Sequence, residues 1–123
     1  MNIKLNEHAI APVRAHVTDA GMDIMSPVDV NVPARGSAVI DTGVCIELPR
    51  GTVGMLKSKS GLNVKHGIVS EGVIDEGYRG AIVVKLYNHS DKPYSVRRGD
   101  KITQLVVMPC FNVEIEITDT LSS

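Results

Sequence analysis

The chain has 123 residues, 43% of them hydrophobic, and its formal net charge at pH 7 is -1. This length fits one domain spanning 1–123, and the near-neutral charge with only one phenylalanine and three tyrosines argues against a general nucleic-acid binder. No apolar run reaches the roughly 18 residues that a membrane span needs, and no basic and apolar leader opens the chain. We therefore expect a protein that engages neither nucleic acid nor membrane and stays in the cytoplasm, or in the host cytoplasm if a virus encodes it.

Short apolar stretches separated by turn-forming residues run along the whole chain. Apolar and polar residues alternate, as in half-buried strands, over 3–5, 28–32 and 113–118. Continuous apolar runs, which are typical of strands buried on both faces, cover 38–40, 44–48, 81–86 and 102–108. Many short strands with frequent turns predict an all-β barrel or sandwich. The only candidate helix is 60–65, with Ser58 or Ser60 as its cap.

The cysteines, histidines and methionines show no pattern that indicates a metal or disulfide site. Cys45 and Cys110 lack the spacing of zinc ligands and the density of a disulfide scaffold, so both are predicted to be buried free thiols. The histidines, predicted to be surface or structural residues, are His8, His16, His66 and His89. The methionines predicted to fill the core are Met22, Met25, Met55 and Met108.

Two segments in the first half of the chain combine small residues with polar ones. In 19–24 a glycine lies two places before Asp23 at the entry to an apolar stretch, and a turn is the favoured interpretation. In 57–62 two lysines, two serines and a glycine open the candidate helix, and such a turn offers charges and donors to phosphate oxygens. A solvated lysine loop is the alternative. The basic residues that would form a wider anion site if the fold gathers them are Lys57, Lys59, Lys65, Arg79, Arg97, Arg98 and Lys101.

The segment 72–80 is the most unusual stretch of the chain. It places Asp75 and Tyr78 among three glycines, a density that suits a tight hairpin or a ligand pressed against main chain. Burying a carboxylate costs several kcal/mol unless it has a partner or a function. A plain acidic hairpin tip is the simpler interpretation, and a functional carboxylate at Asp75 is the favoured one.

Two features follow in the C-terminal part of the chain. In 97–105 a charged turn leads into an apolar strand that contains Gln104, whose amide needs partners if it is buried. A core role and a ligand-binding role for Gln104 are equally compatible with this pattern. The alternating segment 111–118 predicts a strand that must pair with something, and exchange with a neighbouring subunit is one solution.

Four of these segments, in this order and at these separations, resemble the first four of the five sequence motifs of the trimeric dUTP diphosphatases. The matching segments are 20–23, 59–62, 72–80 and 98–105, and the stretches 65–68 and 86–88 are also similar to family sequence. The resemblance covers nearly the whole chain. It implies a distorted, jelly-roll-like β-barrel with one short helix, assembled as a homotrimer.

The resemblance implies hydrolysis of dUTP to dUMP and pyrophosphate. Asp75 would be the general base that activates water, and Tyr78 would lie under the deoxyribose and exclude ribonucleotides. Main chain would read uracil at Gly72, Val73, Ile74 and Val83. The residues along the phosphates would be Lys59, Ser60, Gly61 and Gln104.

The resemblance also implies Mg²⁺ as cofactor and an active site shared between subunits. Mg²⁺ would bridge the phosphate oxygens without a direct protein ligand, and Asp23 would lie in its water shell or hold a basic neighbour. Each site would combine the third motif of one subunit with the first, second and fourth motifs of another. A lone subunit would therefore be inactive.

Two departures from the family pattern bear on activity. Lys59 stands where members usually carry arginine, and lysine keeps the charge but loses the bidentate grip, so phosphate binding is expected to be looser. The fifth motif, a glycine-rich arm that closes over the nucleotide, is missing from this sequence. We therefore expect weak turnover, because water is not excluded from the site.

Other functions remain open. A dCTP deaminase of the same superfamily would need a glutamate base where this chain has Lys85, and Tyr78 stands where deaminases tend to have tryptophan. A nucleotide-binding or protein-binding module without catalysis is compatible with Lys59 and the missing arm, and a purely structural barrel is the plainest alternative. Cleavage of dUTP would indicate a diphosphatase, and ammonia release from dCTP would indicate a deaminase. Binding of dUTP without cleavage would indicate a binding module.

Overall fold

The computed structural model describes residues 1–123 as nine strands and one short helix. The elements are β1 Asn2–Leu5, β2 Gly21–Met25, β3 Val30–Val32, β4 Ser37–Glu47, β5 Thr52–Lys57, α1 Ser60–His66, β6 Ile68–Ile74, β7 Ala81–Asn88, β8 Tyr94–Val96 and β9 Lys101–Pro109. The predicted all-β class with one short helix is confirmed. This helix has neither the length nor the apolar content that a membrane crossing requires.

Seven strands form one antiparallel sheet in the order β1-β4-β7-β6-β5-β9-β2, and β3 pairs with β8 in a second sheet. Ile24 of β2 and Ile40 of β4 belong to one core cluster, although β2 and β4 lie near opposite ends of this order. The large sheet therefore curls around its core as a distorted half-barrel. β4 changes register against β7 between Asp41 and Cys45, and Gly43 has a left-handed φ of 68° at this bulge.

Inward and outward side chains alternate along β7. The inward ones are Ile82, Val84 and Leu86, and the outward ones are Val83, Lys85 and Tyr87. The prediction that 81–86 is buried on both faces is therefore wrong, because only one face of the sheet meets the core. The other face keeps an apolar character without being covered by this chain.

Several predicted elements differ from those observed. Most of the segment 19–24, interpreted as a turn, belongs to β2, and the run 38–40 and residues 44–47 of the run 44–48 are parts of one strand, β4. No prediction covers β5, because Gly54 weakens its strand signal. Packing requires that glycine, since a Cβ at Gly54 would lie 3.0 Å from Leu105 Cδ1 and 3.2 Å from Ile74 Cβ.

The predicted strand 111–118 is not a strand in this chain. Its apolar side chains are 78–97% exposed, and they are Phe111, Val113, Ile115 and Ile117. The alternating pattern is real, but no strand of the same chain pairs with it.

Smaller predictions are also settled by the structure. Neither Ser58 nor Ser60 caps α1, whose N-cap residue is Lys59 without a side-chain bond. Cys45 is buried as predicted, whereas Cys110 is only half-buried. Met25 lies in the core, but Met108 is exposed. The four histidines are exposed, as predicted.

Leu86→Ala tests whether the inward face of β7 supports the fold. Leu86 is 0% exposed within the core cluster, so its truncation leaves a cavity and should lower the free energy of unfolding by about 2–5 kcal/mol. Urea denaturation measures this value. The control is Val64→Ala in α1. Val64 is 82% exposed, so this variant should change the free energy of unfolding by less than about 1 kcal/mol. Equal effects of the two variants would contradict this view of the core.

Candidate active site

The loop between β6 and β7 holds Asp75 and Tyr78 in a compact turn. The Tyr78 N–H donates to the Asp75 carbonyl at 3.0 Å, and the Tyr78 hydroxyl donates to the Ala81 carbonyl at 2.8 Å. A Cβ at Gly80 would lie 2.7 Å from the Tyr78 hydroxyl oxygen. The tyrosine ring therefore folds back over its own hairpin, and only glycine leaves room for it.

β6 and β7 separate as they approach this turn. They pair only where 68–70 faces 86–88, whereas 71–74 of β6 pairs with β5 on its other side. Val83 of β7 pairs outward with Asp41 of β4. The facing edges of the two strands near the turn are therefore not joined to each other, and they leave main-chain donors and acceptors between them.

A cavity of about 220 Å³ occupies this gap and is called here the hairpin pocket. Its lining residues are Leu56, Gly72, Val73, Ile74, Asp75, Tyr78, Ile82 and Val83. Every residue predicted to contact the base or the reacting water is in this set. Leu56 and Ile82 were not predicted, because their place in the pocket depends on the pairing of Leu56 with Gly72 across β5 and β6.

The Asp75 carboxylate has no side-chain hydrogen bond and no ion pair within the chain. It is exposed at the mouth of the hairpin pocket, and only its main-chain carbonyl is engaged. A carboxylate without a partner can accept a proton or a hydrogen bond from a bound water. This is the chemical capacity that a general base needs.

A second cavity of about 380 Å³, called here the basic cleft, lies between β2, β9 and the start of α1. It includes Gly21, Asp23, Lys59, Ser60, Lys101 and Gln104 among its lining residues. The register of β9 explains this grouping, because Gln104 faces Asp23 on one side and Lys57 on the other. Three segments distant in sequence thus meet at one place. Gly61 is exposed on the first turn of α1, next to the lining residue Ser60.

Gln104 joins the walls of the basic cleft. Its Nε2 donates to the Ser58 carbonyl at 3.0 Å. A Cβ at Gly21 would meet Gln104 Oε1 and lie 3.0 Å from Gln104 Cβ. Gly21 is therefore a packing requirement of Gln104, and one half of the Gln104 amide is satisfied by main chain while its carbonyl has no hydrogen-bond partner.

A buried hydroxyl network that the sequence does not signal holds the turn before α1. The Ser58 hydroxyl donates to the Ser70 carbonyl at 3.1 Å and accepts from the Ser70 N–H at 3.0 Å. The hydroxyls of Ser70 and Thr103 lie 2.8 Å apart, and Thr103 also donates to the Lys57 carbonyl. These hydrogen bonds therefore fix the backbone that immediately precedes Lys59 and Ser60.

Asp23 is the electrostatic centre of the basic cleft. It is 5% exposed, and its carboxylate pairs with Lys59 through one oxygen and with Lys101, at 3.2 Å, through the other. Desolvation raises the pKa of Asp23, but the hydrogen bonds and charges of Lys59 and Lys101 outweigh it, so this pKa lies below its usual range. Asp23 therefore holds the ammonium groups of Lys59 and Lys101 beside each other.

The side chains do not form a metal cage. No group of three or more histidine, cysteine, aspartate or glutamate residues is placed to hold an ion. Both Asp23 oxygens face lysines, which disfavours a direct bond to a cation there.

The predicted site residues therefore fall into two separate groups. The hairpin pocket and the basic cleft share no lining residue, so Asp75 and Lys59 do not meet in one cavity of a single chain. One group offers main-chain edges and a free carboxylate, and the other offers cations and hydroxyls suited to phosphate. Together, fold and site define a β-class enzyme that acts on nucleotides.

Comparisons with known proteins identify the family. The dUTPase family model matches residues 7–123. The deoxyuridine 5'-triphosphate nucleotidohydrolase of Clostridioides difficile is 42% identical over 122 residues, covering 97% of this chain and 85% of the relative, and that of Arabidopsis thaliana is 44% identical over 119 residues, covering 96% and 72%. The chain belongs to the dUTPase family and is a hydrolase of nucleotide metabolism.

Solved structures agree with this assignment. The dUTPase of Staphylococcus bacteriophage 80alpha superposes with a TM-score of 0.91 at 31% identity, covering 99% of this chain and 97% of that one. The dUTPase of phage phi11 of S. aureus gives 0.89 at 31% identity with the same coverage. A structural Mg(II) ion is described for a mutant of the phi11 enzyme.

Asp23→Asn should reduce the amount by which the free energy of unfolding falls in acid. Because the folded-state pKa of Asp23 lies below the ordinary value of 3.8, its carboxylate stabilises the fold above that pH, and this contribution is lost as pH falls through the folded pKa. Urea denaturation at about pH 7 and about pH 3 should show a smaller fall for the variant than for the wild type. Asp119→Asn, at an exposed residue, should keep the wild-type fall in the free energy of unfolding. An equal fall in Asp23→Asn would refute the claim.

Proposed function

We propose that this protein hydrolyses dUTP to dUMP and pyrophosphate with Asp75 as the general base. The single observation that carries this proposal is the partnerless Asp75 carboxylate at the mouth of a pocket walled by main chain. Water would attack the anhydride between the α and β phosphates, its proton would pass to Asp75, and the anhydride bond would break to release pyrophosphate.

The hairpin pocket suits uracil and deoxyribose. The unjoined edges of β6 and β7 at Gly72, Val73, Ile74 and Val83 offer the N–H and C=O groups that a uracil edge needs. The Tyr78 ring, held by the Ala81 carbonyl and packed over Gly80, would lie under the sugar. A fixed ring there leaves no space for a 2′-hydroxyl, which supports discrimination against UTP.

The basic cleft suits the triphosphate. Lys59 and Ser60, with the main chain of Gly61, would contact phosphate oxygens, and Gln104 would donate the second N–H of its amide nitrogen to phosphate. Lys101, which was predicted as part of a wider anion site but not among the phosphate contacts that the resemblance implies, adds a second cation beside Asp23. Mg²⁺ bound to the phosphate oxygens would supply charge neutralisation when present.

We further propose a homotrimer in which the hairpin pocket of one subunit faces the basic cleft of another. The separation of the two cavities within one chain supports this arrangement. The exposed apolar side chains of 111–117 and of the outer face of β7 support association as well. A relative with 30% identity and a TM-score of 0.92, a mutant of the phage 80alpha dUTPase, has been solved with dUpNHpp.

Deamination of dCTP is not favoured by this site. Lys85 stands where a deaminase would need its glutamate, and its ammonium lies 5.1 Å from the centre of the Tyr87 ring. An ammonium group that donates to an aromatic face cannot accept the proton that a carboxylate would.

Asp75→Asn provides the direct test. The amide cannot accept a proton from water, so kcat for dUTP should fall by about 10²–10⁴ while KM changes less than about threefold. Pyrophosphate release measures both, with UTP and dCTP as comparison substrates for the wild type. An unchanged rate in Asp75→Asn would exclude the proposed mechanism. Wild-type protein that binds dUTP without cleaving it would instead be a binding module, and ammonia from dCTP would indicate a deaminase.

Mixing two inactive variants tests the shared site. Asp75→Asn lacks the base and Lys59→Ala lacks a phosphate contact, while Lys101 still neutralises Asp23 in the second variant. Random mixing of equal amounts after unfolding and refolding should restore about a quarter of the wild-type sites, since each site draws on two subunits. The matched control refolds each variant alone and should recover no more than the residual activity of that variant. No recovery in the mixture would place the whole site within one subunit.

A further inference from the structure

We propose that Glu76 is a positioning residue that fixes the Asp75 hairpin through a hydrogen bond to the main chain of Gly51. This inference rests on the proposed role of Asp75 as the base. Glu76 Oε1 accepts from the Gly51 N–H at 2.7 Å, and the two residues belong to different turns of the sheet.

This bond is the only hydrogen bond that ties the tip, residues 75–80, to chain outside the hairpin 68–88. The other polar contacts of the tip are local, since Tyr78 bonds Asp75 and Ala81, and Arg79 bonds the carbonyls of Glu76 and Tyr78. The remaining link is an ion pair of Arg79 with Glu47 at 3.8 Å, half-exposed on both sides. Such an exposed pair contributes little orientation.

Gly51 is built to receive this bond. Its φ is +78°, a left-handed conformation that glycine adopts without strain, and a Cβ there would meet nothing within 4 Å. Its conformation, rather than lack of space, therefore requires glycine. The Gly51 carbonyl accepts from the Cys110 N–H at 2.9 Å, so the residue that follows β9 also holds the turn at Gly51.

A cavity beside the hairpin shows what the bond prevents. About 380 Å³ of space lies between the hairpin tip, β5 and the end of β9, lined by Thr52, Val53, Asp75, Glu76, Gly77, Cys110 and Asn112. Asp75 borders both this cavity and the hairpin pocket. Without the Glu76 bond the tip has room to shift toward this side, and a displacement of about 1 Å is enough to lower a rate by about a hundredfold.

Two variants at Glu76 separate the bond from the charge. Glu76→Gln removes the charge but keeps an acceptor oxygen at the same reach, whereas Glu76→Asp keeps the charge but is one methylene too short for Gly51. We expect Glu76→Asp to lower kcat by about tenfold or more with KM within about threefold, and Glu76→Gln to stay within about threefold of wild type. Glu7→Gln, at a side chain that is 88% exposed, is the surface control.

Amide hydrogen exchange gives a readout that does not depend on turnover. The Tyr78 N–H, bonded to Asp75, should exchange at least about tenfold faster in Glu76→Asp and at the wild-type rate in Glu76→Gln. This measurement also decides the matter if either variant has altered stability, because core amides of β7 report global unfolding separately.

The outcomes are distinguishable from failure of the proposed function. If Asp75→Asn is inactive but Glu76→Asp matches wild type in kcat and exchange, the positioning role alone is wrong. If Glu76→Gln is as slow as Glu76→Asp, the charge rather than the bond matters, and the proposal is overturned. If Asp75→Asn retains the wild-type rate, both the proposed role of Asp75 as general base and the positioning role of Glu76 are wrong.

Discussion

The separation of β6 from β7 is the constraint on which the site depends. Once the strands part beyond Ser70 and Leu86, each must satisfy its main chain against an outer neighbour, β5 or β4. The inner edges then stay open to a ligand that carries its own donors and acceptors. The same parting leaves the turn that carries Asp75 without a supporting ladder, which is why side chains rather than sheet hydrogen bonds must hold that turn in place.

The basic cleft differs from the hairpin pocket. Its charged groups are paired with one another before any ligand binds, whereas the main-chain edges of the hairpin pocket are left without partners. Asp23 lies in the sheet with two lysines against it, and this arrangement avoids the large penalty of an unpaired buried carboxylate. It also keeps Lys59 and Lys101 near each other despite their mutual repulsion. A polyanion entering the cleft therefore meets cations whose positions are set by the fold, so little side-chain ordering is required on binding.

The sequence alone predicted the β class and the short helix, because these depend on local patterns, and the family resemblance supplied candidate site residues that the structure groups into the hairpin pocket and the basic cleft. Prediction failed where the role of a residue depends on contacts with residues distant in the sequence. Gly21 looked like a turn residue, yet it is fixed by Gln104 on another strand, and Gly54 obscured a strand whose partners Leu105 and Ile74 require it. The alternation in 111–118 predicted a strand that this chain does not form, because a pattern of side chains cannot say whether a pairing edge is available to it.

The exposed segment after β9 also affects how a lone subunit behaves. Phe111, Val113, Ile115 and Ile117 place their side chains on alternate positions, the spacing from which identical segments stack into fibrils. Glu114 and Glu116 stand between them, and stacking in register would bring like charges together at each level. Charge repulsion between these glutamates therefore opposes in-register stacking of the segment, although its apolar side chains stay exposed.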